Sequence, residues 1–318
     1  MNDRSILARR LRDSLRLPVM AGPMFIASTA DLLIAQCRSG IIGSMPALNP
    51  RTTADLDRDI ARIKRELAGH PVPYAINLVA HRTNERLAAD LAVIVEHRVP
   101  IVVVALAASA AVVDSVHAYG GLVFNDVISD HHARKCADAG VDGIIAIASG
   151  AGGHTGSISP FALAAEIREW WGGLLILSGS IATGRAILAA EVLGADLAYI
   201  GSPFLAATEA NTPPEFKRMI VDGAAKDIMV TNGFTGVNAS FLRPSILANG
   251  LDPKALVRAE GSGVDISGGG SNAKAWRDIW SAGQGIGAVK SSGPAGAYVE
   301  WLAADYLAAR REMGMPQA

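Results

Sequence analysis

Short, continuously apolar runs recur along the chain, and longer amphipathic stretches separate them. The runs do not alternate with polar residues, which is typical of parallel strands that are buried on both faces. The eight runs are LPVMAGP from Leu17, GIIGSMP from Gly40, VPYAINL from Val72, PIVVVAL from Pro100, GLVFNDV from Gly121, DGIIAIA from Asp142, GLLILSG from Gly173 and ADLAYIGS from Ala195. The stretches between them predict helices, and several end at a glycine that stops a helix.

Strand and helix alternate eight times, which predicts an α/β protein with a (β/α)8 TIM barrel. A doubly wound open sheet is the alternative, but eight near-equal units with polar loops favour the barrel. The rhythm stops after Phe204, and residues 209–283 are turn-rich and polar. We therefore predict that residues 1–208 and 284–318 form the barrel, which a last helix from Ala295 to about Arg311 closes. Residues 209–283 are predicted to form a smaller, mostly helical inserted lid region.

Composition narrows the class of protein. The chain has 318 residues, of which 50% are hydrophobic and 19% charged, and its formal net charge is -1. This balance predicts neither a nucleic-acid partner nor an anionic membrane partner. Its two cysteines are too few for a disulfide framework, and the charged N-terminal stretch has no apolar signal-peptide core, so we expect a cytoplasmic protein. The most apolar segment, residues 99–113, is shorter than the ~20 residues that a membrane span needs.

The loops that follow the strands are the candidate site, because TIM barrels place their active sites at the carboxyl ends of the strands. AGPM (Ala21–Met24) after the first strand either exposes backbone amides to a ligand or makes an ordinary turn. Asn77 ends the third strand, and its amide binds either a ligand or a neighbouring loop. Asn125 and Asp126 end the fifth strand, where they either face a ligand or cap the helix that begins near Ser129.

The sixth strand leads into ASGAGGHTGS (residues 148–157), in which His154 stands among four glycines. The spacing does not match the dinucleotide pattern GxGxxG, and no GxxxxGK[ST] occurs in the chain. Glycine-rich backbone lets a flat or bulky ligand approach closely, with one imidazole at hand. The other histidines lack metal-ligand spacing, so no metal site is expected.

The seventh and eighth strands end in SGSIATG, from Ser178, and IGSPF, from Ile200. Barrels often bind phosphate in these two loops, where glycine amides, the hydroxyls of Ser180 and Ser202 and a helix N-terminus can hold an anion. Plain strand-to-helix turns are the alternative, since such turns also favour glycine and serine.

Five stretches together resemble the nitronate monooxygenase family, formerly called 2-nitropropane dioxygenases, which are FMN-dependent TIM-barrel enzymes. AGPM resembles the first-strand flavin loop of the family, and INL (Ile76–Leu78) resembles its third-strand asparagine motif. GAGGHTG (Gly150–Gly156) is similar to its AGGH signature. Residues Ser178–Ala210 resemble its phosphate-binding segment, and WSAGQG (Trp280–Gly285) a further family element. The likeness covers most of residues 17–210 and is patchier beyond.

The resemblance implies bound FMN, with the phosphate held by residues of the last two strand-end loops and the ring lying across the barrel mouth. His154 is the implied catalytic residue, as a base or as a holder of an anion. The implied cofactor-binding residues are Ala21, Gly22, Pro23, Met24, Asn77, Asp126, Ala151, Gly152, Gly153, Ser178, Gly179, Ser180, Gly201 and Ser202.

The chain also departs from the family pattern. Ser178–Ser180 replaces a diglycine, Ser202 replaces a threonine, and Gly150 replaces an acidic residue that is common before AGGH. Asp126 stands near a position at which relatives can carry a lysine. A carboxylate does not supply the positive charge of that lysine.

The implied reaction is the oxidation of alkyl nitronates, and of nitroalkanes, by O2 to carbonyl compounds and nitrite. Two alternatives stay open: an NAD(P)H-dependent flavin reductase, of the quinone reductase or enoyl-thioester reductase type, and a non-redox phosphate-binding barrel. The sequence leaves a homo-oligomer open.

Overall fold

Eight parallel strands close into a barrel. The computed structural model describes residues 3–107, 109–256 and 275–316. In sequence order its barrel strands are β1 (Val19–Ala21), β2 (Ser44–Pro46), β3 (Ala75–Val79), β4 (Ile101–Ala105), β5 (Leu122–Val127), β6 (Gly143–Ile147), β8 (Leu174–Ser178) and β9 (Leu197–Ile200). The two-residue strand β7 (Gly153–His154) lies outside the barrel. From β2 to β9 each barrel strand pairs in parallel with the next barrel strand, and β9 pairs with β1. Ile42, just before β2, bridges to Met20 of β1 and completes the ring, so the predicted TIM barrel is confirmed.

Helices surround the barrel. They are α1 (Asp3–Asp13), α2 (Ala30–Arg38), α3 (Thr53–Glu66), α4 (Leu87–His97), α5 (Ala110–His117), α6 (Asp130–Asp138), α7 (Pro160–Arg168), α8 (Gly184–Val192), α9 (Pro214–Asp222), α10 (Arg243–Ala248) and α11 (Ala295–Glu312). A serine or threonine caps the N-terminus of α2, α3, α5, α6, α7 and α8 by accepting a backbone N–H. The last helix packs against α8 and α2, as predicted. No helix in the described ranges has the length and hydrophobicity that crossing a bilayer needs.

The core has an inner and an outer layer. Side chains that point into the barrel, such as Phe124, Val103 and Ile176, pack together at its centre. Ala8 and Leu11 of α1 join this inner cluster. The outer layer lies between the strands and the surrounding helices. Because the barrel interior is filled, the strand-end loops are where a ligand can enter.

The region after β9 contains more than helices. Besides α9 and α10 it holds β10 (Ile228–Thr231) and β11 (Ala239–Leu242), which are antiparallel. β11 also pairs with β7, with Ala239 opposite His154. The sequence predicts mostly helices for residues 209–283. The structure adds β10 and β11, which form a three-stranded sheet with β7 that the sequence did not predict. The division into residues 1–208 with 284–318 and an inserted 209–283 stays a prediction, and GSGVDISGGGSN (residues 261–272) lies outside the described residues.

Gly184 tests the packing that closes the helical ring. A Cβ on this first residue of α8 would overlap the backbone nitrogen of Tyr306 and lie 2.5 Å from the carbonyl oxygen of Leu302, both in α11. We expect Gly184→Ala to push α11 outward and lower the free energy of unfolding by about 3 kcal/mol, as overpacking does. Denaturant unfolding measures the loss. Gly172→Ala is the matched control, since its Cβ would meet no atom within 4 Å. Equal stability of the two variants would contradict the prediction.

Candidate active site

A cavity of about 1250 Å³ opens at the carboxyl ends of the barrel strands. Its volume exceeds the ~300–1,000 Å³ that is usual for a site holding one small molecule. Loops from the barrel and residues of the region after β9 line it together. The predicted site residues among its lining are Gly22, Pro23, Met24, Asn77, Asp126, Gly152, Gly153, His154, Ser178, Gly201 and Ser202.

Four predicted site residues lie outside the cavity lining. Ala21 is buried in β1, where its carbonyl accepts a hydrogen bond from Ser44 Oγ. Ala151 is also buried, and its carbonyl accepts from Ser240 Oγ at 2.7 Å. Gly179 is buried with φ +126°, whereas Ser180 is exposed. Contact of these four residues with a bound cofactor stays a prediction.

The glycines after β6 have two different structural roles. A Cβ on Gly150, whose φ is +86°, would overlap Ser180 Oγ, and a Cβ on Gly152 would lie 2.9 Å from the backbone nitrogen of Gly283. These two glycines therefore allow chain segments to pack directly on the loop. Gly153 differs, because a Cβ there would meet nothing within 4 Å, although its φ of +71° still favours glycine. The free space beside Gly153 therefore belongs to the cavity that this residue lines.

The ring of His154 packs against other residues, although several glycines surround it in the sequence. The pairing of β7 with β11 holds its backbone, and its ring meets Trp276 edge-on, with centroids 5.5 Å apart. Its Nε2 is inaccessible and has no partner among the described residues. Burial lowers the pKa of His154 below its usual 6.5. The imidazole is therefore neutral at neutral pH.

Polar side chains at the ends of β3 and β5 lie below the cavity mouth. Asn77 donates its side-chain N–H to the carbonyl of Val103 at 3.2 Å. Asn125 and Asp126 do not cap α6, because Ser129 does so by accepting the N–H of His132. The Oδ1 atoms of both Asn125 and Asp126 are buried without a partner in the described chain. Burial raises the pKa of Asp126 to about 7.

Sequence reasoning missed several lining residues. Tyr199 lies inside the eighth apolar run, and its hydroxyl is buried without a partner in the described ranges. Its place two positions before Gly201, which directly follows β9, could have revealed it. Trp276 and Phe216 come from the region after β9, which has no repeating pattern. Over the residues that the structure describes, no group of three or more His, Cys, Asp or Glu side chains could hold a metal ion.

Comparison with known proteins places this chain in a family. A family model described as nitronate monooxygenase matches residues 11–305. A putative monooxygenase, Rv1533 of Mycobacterium tuberculosis, is 37% identical over 41% of this chain, a match that spans 35% of that protein's length. A nitronate monooxygenase of Paraburkholderia phytofirmans is 28% identical, and the match spans 74% of this chain and 76% of that protein.

Two solved structures share the fold over almost their whole length. FabK from Thermotoga maritima superposes with a TM-score of 0.78 at 23% identity, over 96% of this chain and 98% of that one. A nitroalkane oxidase from Streptomyces ansochromogenes gives a TM-score of 0.75 at 24% identity, over 96% and 99%.

The family match includes every barrel strand, the glycine-rich loop and His154. It confirms the expected family and, with it, an enzyme of the oxidoreductase class. The chain belongs to the nitronate monooxygenase family.

Proposed function

We propose that this protein is an FMN-dependent oxidoreductase that uses O2 to oxidise alkyl nitronates, and nitroalkanes, to carbonyl compounds and nitrite. The observation that carries the proposal is the His154 imidazole, a cavity-lining ring whose Nε2 has no hydrogen-bond partner in the part of the chain that the structure describes. Membership of the family and the nitronate monooxygenase of Paraburkholderia phytofirmans support the choice of substrate.

The cavity fits FMN in size and chemistry. Its volume accommodates a tricyclic ring and leaves room for a second molecule. Gly22 and Gly201 lie side by side, since a Cβ on Gly22 would be 3.5 Å from the Cα of Gly201, and neither glycine covers the ring site with a side chain. The side chains of Asn125, Asp126 and Tyr199 line the cavity and bring polar groups that suit a heterocycle.

Separate parts of the site would hold the ring and the phosphate. Residues 22–24, Asn77 and residues 152–153 would contact the ring. The loops at 178–180 and 201–202 would hold the phosphate, near the N-terminus of α8. Bound FMN supplies the electron-transfer chemistry that protein side chains lack.

His154 has a different task for each kind of substrate. A nitronate is already an anion, so a neutral imidazole needs only to donate a hydrogen bond to one of its oxygens. A neutral nitroalkane must first lose a proton from the carbon beside the nitro group, and the imidazole can accept it. The edge-on contact with Trp276 and the pairing of β7 with β11 fix the direction of the ring.

Flavin binding is the first test. We expect the purified protein to show the visible absorption of bound FMN and to lose it when mixed anaerobically with an alkyl nitronate, because the nitronate would reduce the cofactor. Protein that carries no flavin, and binds none when FMN is added, would disprove the proposal. Loss of the absorption with NAD(P)H, but not with a nitronate, would favour the flavin reductase instead.

Substitution of His154 separates its two tasks. We expect His154→Asn to retain FMN and to lower kcat/KM for a nitroalkane by about 10²–10⁴-fold, the usual contribution of a general base. Turnover of a nitronate should fall less, because the asparagine amide still donates a hydrogen bond, and His154→Ala should lower it further. His131→Asn is the matched control, since His131 is exposed and lies outside the cavity lining. Wild-type nitronate turnover by His154→Ala would refute a catalytic role.

The lowered pKa of His154 predicts the pH profile. A base must be deprotonated to act, and burial keeps the His154 imidazole deprotonated to a lower pH than an exposed histidine. We expect kcat/KM for a nitroalkane to decline on acidification with a midpoint below pH 6.5. A midpoint at or above pH 6.5 would contradict this assignment.

A further inference from the structure

Asp126 lies on the floor of the cavity, on the face of β5 that points into the barrel. Phe124, two residues earlier on the same face, belongs to the inner core. In the parallel pairing of β5 with β6, Asp126 is opposite Ile145, another inner-core residue. The carboxyl group thus stands where packed apolar side chains end and the open cavity begins.

No cation balances this carboxyl group. In the described chain, no lysine, arginine or histidine forms an ion pair with Asp126, and its inaccessible Oδ1 has no hydrogen-bond partner. The titratable side chains that line the cavity around it are Tyr199 from β9, His132, Lys135 and Cys136 from α6, and His154 from β7. Burial and the charge of Asp126 raise the pKa of both Tyr199 and Cys136, so those two groups are neutral.

We propose that Asp126 is held as a neutral carboxylic acid and that its O–H donates a hydrogen bond to an acceptor atom of the molecule bound above it. This inference rests on the proposed function, in which that molecule is the FMN ring. An ionised carboxylate without a cation is far more costly to bury than a neutral acid. A neutral acid brings a donor, and a heterocycle with ring nitrogens and carbonyl oxygens supplies the acceptor.

The proposed hydrogen bond has a consequence for the chemistry. A neutral donor stabilises negative charge that gathers at its acceptor, and does so most strongly where water is excluded. Asp126 thereby favours reduction of the bound ring without a full positive charge beside it. Tyr199, whose hydroxyl has no partner in the described ranges, also lines the cavity.

The first experiment follows the visible absorption of the FMN-loaded protein from pH 5 to pH 9. The wild-type protein should show a change in the flavin spectrum with a midpoint at or above pH 7, because ionisation of Asp126 removes the donor. Asp126→Asn, whose amide donates at every pH, should show no such change. Asp114→Asn is the matched control, because Asp114 is exposed on α5, and it should behave as the wild type does.

The second experiment measures protonation without the flavin, through the thermal unfolding of the apoprotein. The pKa of Asp126 is raised to about 7 in the folded protein from its usual 3.8, so the wild-type protein should lose stability relative to Asp126→Asn as the pH rises from about 4 to 7. Above pH 7 the difference in Tm should stay constant. If the difference in Tm between the two proteins does not change with pH, the proposal that Asp126 is a neutral acid is wrong.

The two experiments separate the inference from the proposed function. Suppose that the protein binds flavin but the wild type shows no spectral change, or that Asp126→Asn shows the same change as the wild type. Either result overturns only the hydrogen bond from Asp126. Failure of the protein to bind any flavin overturns the proposed function and, with it, the ring as the acceptor.

Discussion

Direct backbone packing between the glycine-rich loop after β6 and the region after β9 is the constraint on which the cavity depends. The carbonyl of Gly150 accepts hydrogen bonds from the backbone N–H groups of Ser180 and Gln284. Gly153 N–H donates to Ser281 Oγ at 2.9 Å, and Ser281 Oγ in turn donates to the carbonyl of Ser240. Side chains at Gly150 or Gly152 would separate these segments, so the glycines bring the barrel and the later region together and fix the position of His154.

Burial then gives the cavity its electrostatic character. Removing water raises the pKa of a carboxyl group and lowers that of an imidazole, and both changes favour the neutral form. The pKa values of Asp126 and His154, which both line the cavity, are shifted in these two directions. Burial thus shifts both groups toward the forms that carry no charge. Neutral hydrogen-bonding groups can respond to a charge that enters with a substrate.

The barrel could be predicted from the sequence because each strand is buried on both faces and so appears as an unbroken apolar run. The strand-end rule then led to residues such as Asn77 and Asp126, which do line the cavity. The small sheet could not be predicted, because β7 has two residues and no periodicity, and its partner β11 lies 85 positions further on. Trp276, which packs on His154, is still further along the chain and carries no local signal.

The residues around the opening bear on the choice between a small substrate and a dinucleotide. Phe25, Leu106 and Ile128 are exposed large apolar side chains that line the cavity, each from a different strand-end loop. Leu106 has a φ of +73°, a conformation that non-glycine residues seldom adopt. Lys135 is the one lysine or arginine in the described lining. A dinucleotide carries several phosphate charges, which basic side chains or clustered backbone amides must bind. An alkyl nitronate carries one charge at its reacting end, and the rest of the molecule is apolar. The apolar rim would suit the alkyl part of the nitronate in the proposed reaction.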